Sequence, residues 1–124
     1  MLKYYMDMDA LIKYKFNKSI FGLQQLFSKS DINSVYLFGS FLNGTATKMS
    51  DIDLIVVSDI YNGLSGFIRR KNFLYHFSYA SLILLDPKCL TIDEFKLYSQ
   101  SEAFIKENPC MIFCSNRINM GGNK

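Results

Sequence analysis

The sequence predicts an α+β fold with α/β-like alternation, in which a small mixed β-sheet of about four strands packs against helices. Two observations predict it. Apolar residues recur at helical spacing early in the chain, and short apolar runs of strand length, such as 35–38 and 52–57, follow at intervals. Segments with helical patterning separate most of these runs, which favours a sheet covered by helices.

The length and composition are those of one globular domain. With 124 residues, 49% of them apolar and 20% charged, the chain has enough apolar side chains for a single core. We expect one domain over residues 1–114 and a disordered tail over residues 115–124. The net charge of +3 is too small to indicate a nucleic acid as partner.

The location expected for the protein is the cytoplasm. No run approaches the ~18 uninterrupted apolar residues of a membrane span, and the first residues lack the apolar block of a signal peptide. Cys89, Cys110 and Cys114 form no Cys-x-x-Cys pair, and their odd number argues against a disulfide framework. We therefore expect no membrane contact and free, largely buried thiols.

The first half of the chain contains one long helix and two strands. The helix is predicted from about Asp9 to Ser28, and the first strand, Ser34 to Phe38, leads into a short helical turn at 41–43. The second strand, Asp51 to Val57, is apolar on both faces, as a central strand would be. The apolar stripe of the helix consists of Leu11, Ile12, Phe16, Ile20, Leu23 and Phe27.

The second half alternates helices with strands. Thr91 and Glu94 have the spacing of a capping box at the start of the last helix. The aromatic residues Phe73, Tyr75, Phe77 and Tyr79 are expected in the core. In chain order the predicted elements are a helix over Gly66–Phe77, a strand over Ser81–Leu85 that ends at Asp86, a helix over Ile92–Glu107 and a strand over Cys110–Cys114.

Two carboxylates stand at the mouth of the second strand. Side chains alternate along a strand with a period of two, so Asp51 and Asp53 project to the same side. Like charges this close raise each other's pKa unless something positive lies between them. A hard divalent cation removes that penalty, and Mg²⁺ takes carboxylate oxygens together with phosphates and waters.

A complementary phosphate-binding element follows the first strand. Gly39 allows close approach of the backbone to a ligand, and the Ser40 hydroxyl and nearby backbone N–H groups can hold phosphate oxygens. Together with the two carboxylates, this turn indicates a metal–nucleotide site. The alternative is a hairpin whose Gly, Ser and Asp residues are ordinary, solvated turn residues.

These residues resemble the signature of the nucleotidyltransferase superfamily that includes DNA polymerase beta. Gly39-Ser40, ten residues and then Asp51-Ile52-Asp53 are similar to the pattern of the minimal, stand-alone members. The resemblance implies a polymerase-beta-type nucleotidyltransferase fold. It also implies that Gly39 and Ser40 bind the nucleotide, and that Asp51 and Asp53 are catalytic and hold Mg²⁺, as one or two ions. Where many relatives have an arginine this chain has Asn43, and Lys48 is the predicted substitute in nucleotide binding.

Two interpretations of Asp86 stay open. The family pattern places an aspartate five residues before the threonine that opens the next helix, and here Asp86 precedes Thr91 by five. The resemblance thus implies that Asp86 is the third catalytic, metal-holding carboxylate. Alternatively, Asp86-Pro87 is a strand-terminating turn, because proline cannot donate a ladder hydrogen bond. The third carboxylate is missing in that case.

The implied reaction is transfer of a nucleoside monophosphate, AMP from ATP, onto an acceptor hydroxyl with release of pyrophosphate. The acceptor is not encoded in the sequence, and a protein, an RNA or a small molecule is compatible with it. The chain is short, so we expect it to borrow acceptor-binding surface from a second copy, from a partner protein or from the acceptor itself. Two alternatives are an antitoxin-type adenylyltransferase acting on a partner protein and a catalytically degenerate nucleotide-binding or interaction module.

Overall fold

The computed structural model describes residues 9–115. Short 3-10 turns at Asp59–Tyr61 and Ser78–Ala80 flank the third helix. Within the described range, no helix is long and apolar enough to cross a membrane. In chain order the helices and strands are α1 (Ala10–Phe27), β1 (Ser34–Phe38), α2 (Ser40–Asn43), β2 (Ile52–Val57), α3 (Gly66–Phe77), β3 (Leu85–Leu90), α4 (Ile92–Tyr98), α5 (Glu102–Glu107) and β4 (Cys110–Cys114).

The four strands form one mixed sheet in the order β3-β2-β1-β4. β1 is antiparallel to both β2 and β4, whereas β2 and β3 are parallel and are connected through α3. A parallel pair needs such a crossover, because the chain must return to the same end of the sheet. The predicted fold class is confirmed, and β2, apolar on both faces, is an interior strand as its composition predicts.

One face of the sheet packs against α1 and α3. The apolar stripe of α1 supplies Phe16, Ile20, Leu23 and Phe27 to this core, whereas Leu11 of the predicted stripe is exposed. Phe27 contacts both Phe73 and Phe77 of α3, with ring centroids 6.1 and 5.1 Å apart. Burial of these large apolar side chains is the main stabilising term for the domain.

The other face of the sheet packs against the C-terminal helices. Tyr36 of β1 stacks on Phe95 of α4 at 4.9 Å and meets Phe104 of α5 edge-on at 6.2 Å. Directly opposite Tyr36 lies Ile55 of β2, so both side chains project to this face. By the same alternation Asp53 projects to this face, two residues nearer the start of β2.

The third strand lies later in the chain than predicted. It spans Leu85–Leu90 rather than Ser81–Leu85, so Asp86 and Pro87 lie inside it. The Ser81 hydroxyl donates to the Ile83 carbonyl and accepts from the Ile83 N–H. This local pairing competes with strand formation before residue 85. Pro87 is tolerated because β3 is an edge strand.

The predicted helix over Ile92–Glu107 is wrong as one element, because it consists of two short helices. The predicted capping box is present at Thr91 and starts α4. At the break, the Ser99 hydroxyl donates to the Lys96 carbonyl, and the Ser101 hydroxyl accepts from the Phe104 N–H as the N-cap of α5. Serine hydroxyls that bond to the local backbone favour caps over helix interiors.

Two further expectations change in detail. Phe73 and Phe77 are buried, but Tyr75 and Tyr79 are more than three-quarters exposed. Phe73 and Phe77 are four residues apart and share one face of α3, whereas Tyr75 lies on another face and Tyr79 lies in the 3-10 turn after α3. Ser115, the first residue of the predicted tail, is buried, and its N–H donates to the Asn33 carbonyl. The rest of that tail lies outside the described residues.

Candidate active site

The glycine of the Gly-Ser turn lies directly against the carboxyl group of Asp53. Gly39 has φ 79° and ψ −153°, a backbone conformation that is essentially restricted to glycine. A Cβ atom placed on Gly39 would overlap Oδ2 of Asp53 and lie 3.1 Å from its Cγ. The register explains this contact, because Asp53 is opposite Phe38, the residue before Gly39. The phosphate-binding candidate and the carboxylate candidate therefore form one site.

Ser40 is the first residue of α2, the four-residue helix that follows this turn. Its backbone carbonyl accepts hydrogen bonds from the N–H groups of Gly44 and Thr45, which close the helix after one turn. Ser40 is half-buried at the rim of the site. Asn43, at the position where many relatives have an arginine, is exposed at the end of α2.

Asp53 and Asp86 form a pair of interacting carboxyl groups. The parallel register of β2 and β3 places Asp86 beside Asp53. Partial burial, the negative charge of Asp86 and a hydrogen bond between the two carboxyl groups raise the pKa of Asp53 to about 6. The interpretation of Asp86-Pro87 as a strand-terminating turn is therefore wrong. Asp86 reaches the site from near the start of β3, and not from its end as predicted.

Asp51 stands just before β2 and is exposed. Its negative charge also contributes to the raised pKa of Asp53, after the contributions of burial and of Asp86. A further contribution comes from Glu107 at the end of α5, which sequence reasoning did not assign to the site. The site is therefore acidic, with Asp53 at its centre.

A basic residue that the sequence does not identify as part of the site contacts Asp86. Arg70 of α3 forms an ion pair with it, with Nη1 of Arg70 2.5 Å from Oδ1 of Asp86. Both side chains remain 44–51% exposed. The sequence signal was the basic run 69–71, but periodicity alone does not show which of its members reaches the carboxylates.

The neighbouring Arg69 makes contacts that stabilise the fold. Its side chain is only 11% exposed and donates to the carbonyl groups of Leu64 and Cys89 and to the carboxylate of Glu94. The Arg69 guanidinium lowers the pKa of Glu94 to about 2, assisted by the Thr91 N–H. Arg69 thus connects α3 to the end of β3 and to the start of α4.

A groove of about 660 Å³ opens beside Asp51, between α1, the loop before β2 and residues 82–84. Its walls are largely apolar, and two of the residues that line it, Met49 and Leu84, are 82% and 77% exposed. Lys48 also lines this groove. The predicted nucleotide-binding lysine is thus exposed and lies near Asp51, while Gly39, against Asp53, is not among the residues that line the groove.

The donor set suits a hard cation such as Mg²⁺, although no cage of three ligands is preassembled. Within residues 9–115, no group of three or more Asp, Glu, His or Cys side chains is arranged to hold a metal ion. The interacting pair is Asp53 and Asp86. Mg²⁺ typically takes one or two carboxylates and completes its shell with waters and phosphate oxygens, so this pair fits it. Participation of Asp51 as a third ligand stays a prediction.

Solved structures with similar chains include one provisionally named nucleotidyltransferase and two toxin-antitoxin structures. One, from Sulfolobus solfataricus and provisionally named a nucleotidyltransferase, is 21% identical, with a TM-score of 0.49, and the match covers 73% of this chain and 81% of the other. A toxin-antitoxin structure with AMP-PNP is 20% identical, with a TM-score of 0.43, and a toxin-antitoxin MntA-HpeT mutant is 17% identical, with a TM-score of 0.42. Each of these two covers 84% of this chain and 77% of the other.

The family assignment comes from a match to a family model. No curated protein matches the chain. All three TM-scores lie below 0.5 and carry no argument about function. The model described as "Nucleotidyltransferase domain" matches residues 22–106, well over half of the chain and a range that includes Gly39, Ser40, Asp51, Asp53 and Asp86. The chain therefore belongs to the nucleotidyltransferase domain family.

Proposed function

We propose that this protein is a Mg²⁺-dependent nucleotidyltransferase that moves AMP from ATP onto an acceptor hydroxyl and releases pyrophosphate. The observation that carries the proposal is the contact between the Gly39 backbone and the Asp53 carboxyl group, which interacts in turn with Asp86. A glycine-only turn suited to phosphate thereby adjoins carboxylates suited to a cation. Phosphate and cation binding at adjacent positions is what transfer from a triphosphate requires.

The chemical step is a displacement at the α-phosphate of ATP. The acceptor oxygen forms a bond to the α-phosphorus, the bond from that phosphorus to the α,β-bridging oxygen breaks, and pyrophosphate leaves. The acceptor proton passes to a carboxylate of the site, for which Asp86 is the proposed base. The residues Gly39 and Ser40 hold the β- and γ-phosphates, which keeps the attacking and leaving oxygens in line.

Asp53 and Asp86, with Asp51 as the proposed third ligand, would hold Mg²⁺. When bound, the metal supplies charge neutralisation at the triphosphate and the pyrophosphate leaving group. The raised pKa of Asp53 supports this assignment, because it reflects a partly buried carboxyl group with the negative charges of Asp86 and Asp51 close to it. Such an arrangement is costly in the free protein and becomes favourable when a cation is bound.

The acceptor hydroxyl is proposed to belong to a partner protein. The groove beside Asp51 supports this choice, because its largely apolar walls and exposed Met49 and Leu84 suit an apolar protein surface better than a small polar molecule. Lys48, at the groove, adds a positive charge near the site. The antitoxin-type adenylyltransferase is one form of this proposal, in which the partner is the modified protein.

The test is a transfer assay with ATP labelled at the α-phosphate, Mg²⁺ and protein fractions from the source cells. The proposal expects label to move covalently onto a protein, with stoichiometric pyrophosphate, and both signals to disappear in Asp53→Asn. Asp93→Asn, an exposed residue in the first turn of α4, loses the same charge away from the site and is the matched control, which should keep full activity. Binding of Mg–ATP without transfer to protein, RNA or small-molecule fractions would favour the degenerate binding module instead.

A further inference from the structure

The ion pair between Arg70 and Asp86 has a consequence for cation binding. Asp86 is one of two interacting carboxyl groups in the site, and one of its oxygens is 2.5 Å from the Arg70 guanidinium. An oxygen lone pair that accepts a hydrogen bond from arginine is not available to a metal. The second carboxyl group, on Asp53, faces Gly39.

We propose that Arg70 competes with the cation for the Asp86 carboxylate and so lowers the cation affinity of the free protein. This inference rests on the proposed function. Arg70 is suited to the role because its side chain is 44% exposed and has solvent into which it can swing.

The contrast with Arg69 shows why Arg70 is able to move. Arg69 is 11% exposed and is fixed by two backbone carbonyls as well as by Glu94. Among residues 9–115, Arg70 has one polar contact, the carboxylate of Asp86. An exposed ion pair of this kind is weak, and a divalent cation can overcome it. Arg70 therefore weakens cation binding and does not prevent it.

The test measures Mn²⁺ affinity by electron paramagnetic resonance in the absence of nucleotide, with Mn²⁺ as the probe for the cation. Removal of the competitor in Arg70→Gln should tighten Mn²⁺ binding by about threefold to fivefold, the ratio that corresponds to an exposed ion pair. Arg70→Lys keeps the charge but loses the planar fork, and it should fall between wild type and Arg70→Gln. Lys71→Gln, an exposed residue of the same helix, controls for the general loss of one positive charge.

A double-mutant cycle separates competition at Asp86 from long-range charge effects. In an Asp86→Asn background, Arg70→Gln should no longer change Mn²⁺ affinity beyond the change caused by Lys71→Gln. Equal affinities of wild type and Arg70→Gln, or equal gains in Arg70→Gln and Lys71→Gln, would overturn the proposal and leave the proposed function intact. Failure of both wild type and Arg70→Gln to bind Mn²⁺, with or without ATP, would refute the proposed function and with it the role of Arg70.

Discussion

The carboxyl group of Asp53 lies against the backbone of Gly39, and the space between them does not admit a side chain. This contact couples two features that are ten residues apart in the signature, the Gly-Ser turn and the Asp-x-Asp strand. The antiparallel register of β1 and β2 produces it, since Phe38 is paired with Asp53. Position 39 therefore requires glycine for two reasons: its backbone conformation is one that only glycine adopts easily, and a Cβ atom would not fit beside Asp53.

Gly39→Ala should lose both stability and nucleotide binding. The Cβ would overlap Asp53 Oδ2, and alanine is strained at φ 79° and ψ −153°, so we expect a cost of about 3 kcal/mol or more in the free energy of unfolding. Chemical denaturation measures this cost, and calorimetry with a non-hydrolysable ATP analogue measures binding in the folded fraction.

Gly63→Ala is the matched control for that substitution. Gly63 has φ 78°, but a Cβ placed on it would meet no atom within 4 Å. Gly63→Ala should therefore lower the free energy of unfolding only by the left-handed backbone penalty of about 1–2 kcal/mol and leave nucleotide binding unchanged. Equal costs at the two glycines would show that the contact with Asp53 contributes nothing.

Asp53→Asn should stabilise the metal-free protein at neutral pH. Because folding raises the pKa of Asp53 from 3.8 to about 6, the native state binds this proton more tightly than the unfolded chain does. Wild-type stability therefore falls as pH rises from about 4 to above 6. Asp53→Asn lacks this loss. Its free energy of unfolding should therefore exceed that of wild type by about 1 kcal/mol or less at pH 7.5, after allowance for solvent screening, and the difference should vanish near pH 4.

Thermal denaturation across that pH range, with and without Mg²⁺, checks the Asp53 prediction. A cation that binds only the native state raises its stability, so Mg²⁺ should raise the melting temperature of wild type more than that of Asp53→Asn. A variant that is less stable than wild type at pH 7.5 without metal would contradict the account of the carboxyl pair.

Arg69→Met should destabilise the protein, whereas Arg70→Gln should not. Loss of Arg69 leaves the partly buried Cys89 carbonyl without this donor and Glu94 with only the Thr91 N–H, at a cost of about 1–3 kcal/mol. The pKa of Glu94 is lowered to about 2, so the stability it contributes is lost as pH falls from 4.5 towards 2. Urea denaturation should show a weaker acid dependence in Arg69→Met than in wild type, because only the Thr91 N–H then lowers the pKa of Glu94. Equal stability of Arg69→Met and Arg70→Gln would contradict the assignment of a structural role to Arg69 and not to Arg70.

Ser40→Ala should weaken nucleotide binding with little change in stability. Ser40 is at the rim of the site in the short helix α2, whose N-cap is Gly39. We expect the Kd for the ATP analogue to rise by about tenfold, the effect of one lost hydrogen bond to a charged phosphate. Calorimetry measures the Kd, and an unchanged melting temperature shows that the fold is intact. An unchanged Kd would remove Ser40 from the phosphate site.

Sequence reasoning was most accurate where one local signal dominates. The bounds of β1 and α3 and the capping box at Thr91 agree with the structure, because apolar runs and capping residues act over a few positions. The break between α4 and α5 was missed, although Ser101 with its hydroxyl before Phe104 was a readable N-cap signal.

The site was less accessible to sequence reasoning, because it depends on strand register and on long-range contacts. Asp86 was expected at the end of a strand before Pro87, but the parallel alignment of β3 with β2 brings it beside Asp53 from near the strand start. Which of Arg69 and Arg70 contacts the carboxylates of the site depends on how α3 is rotated over the edge strand. Neighbours along a helix point about 100° apart, so adjacent arginines acquire different partners.

The most direct measurement of the central claim is calorimetric titration of a non-hydrolysable ATP analogue with Mg²⁺ into wild type, Asp53→Asn and Asp86→Asn. The account predicts binding to wild type that requires Mg²⁺ and is lost or severely weakened in Asp53→Asn. Binding should also be weakened in Asp86→Asn, because the carboxyl pair acts as a unit. Metal-independent binding, or equal affinity in all three proteins, would contradict a site built on Gly39, Asp53 and Asp86.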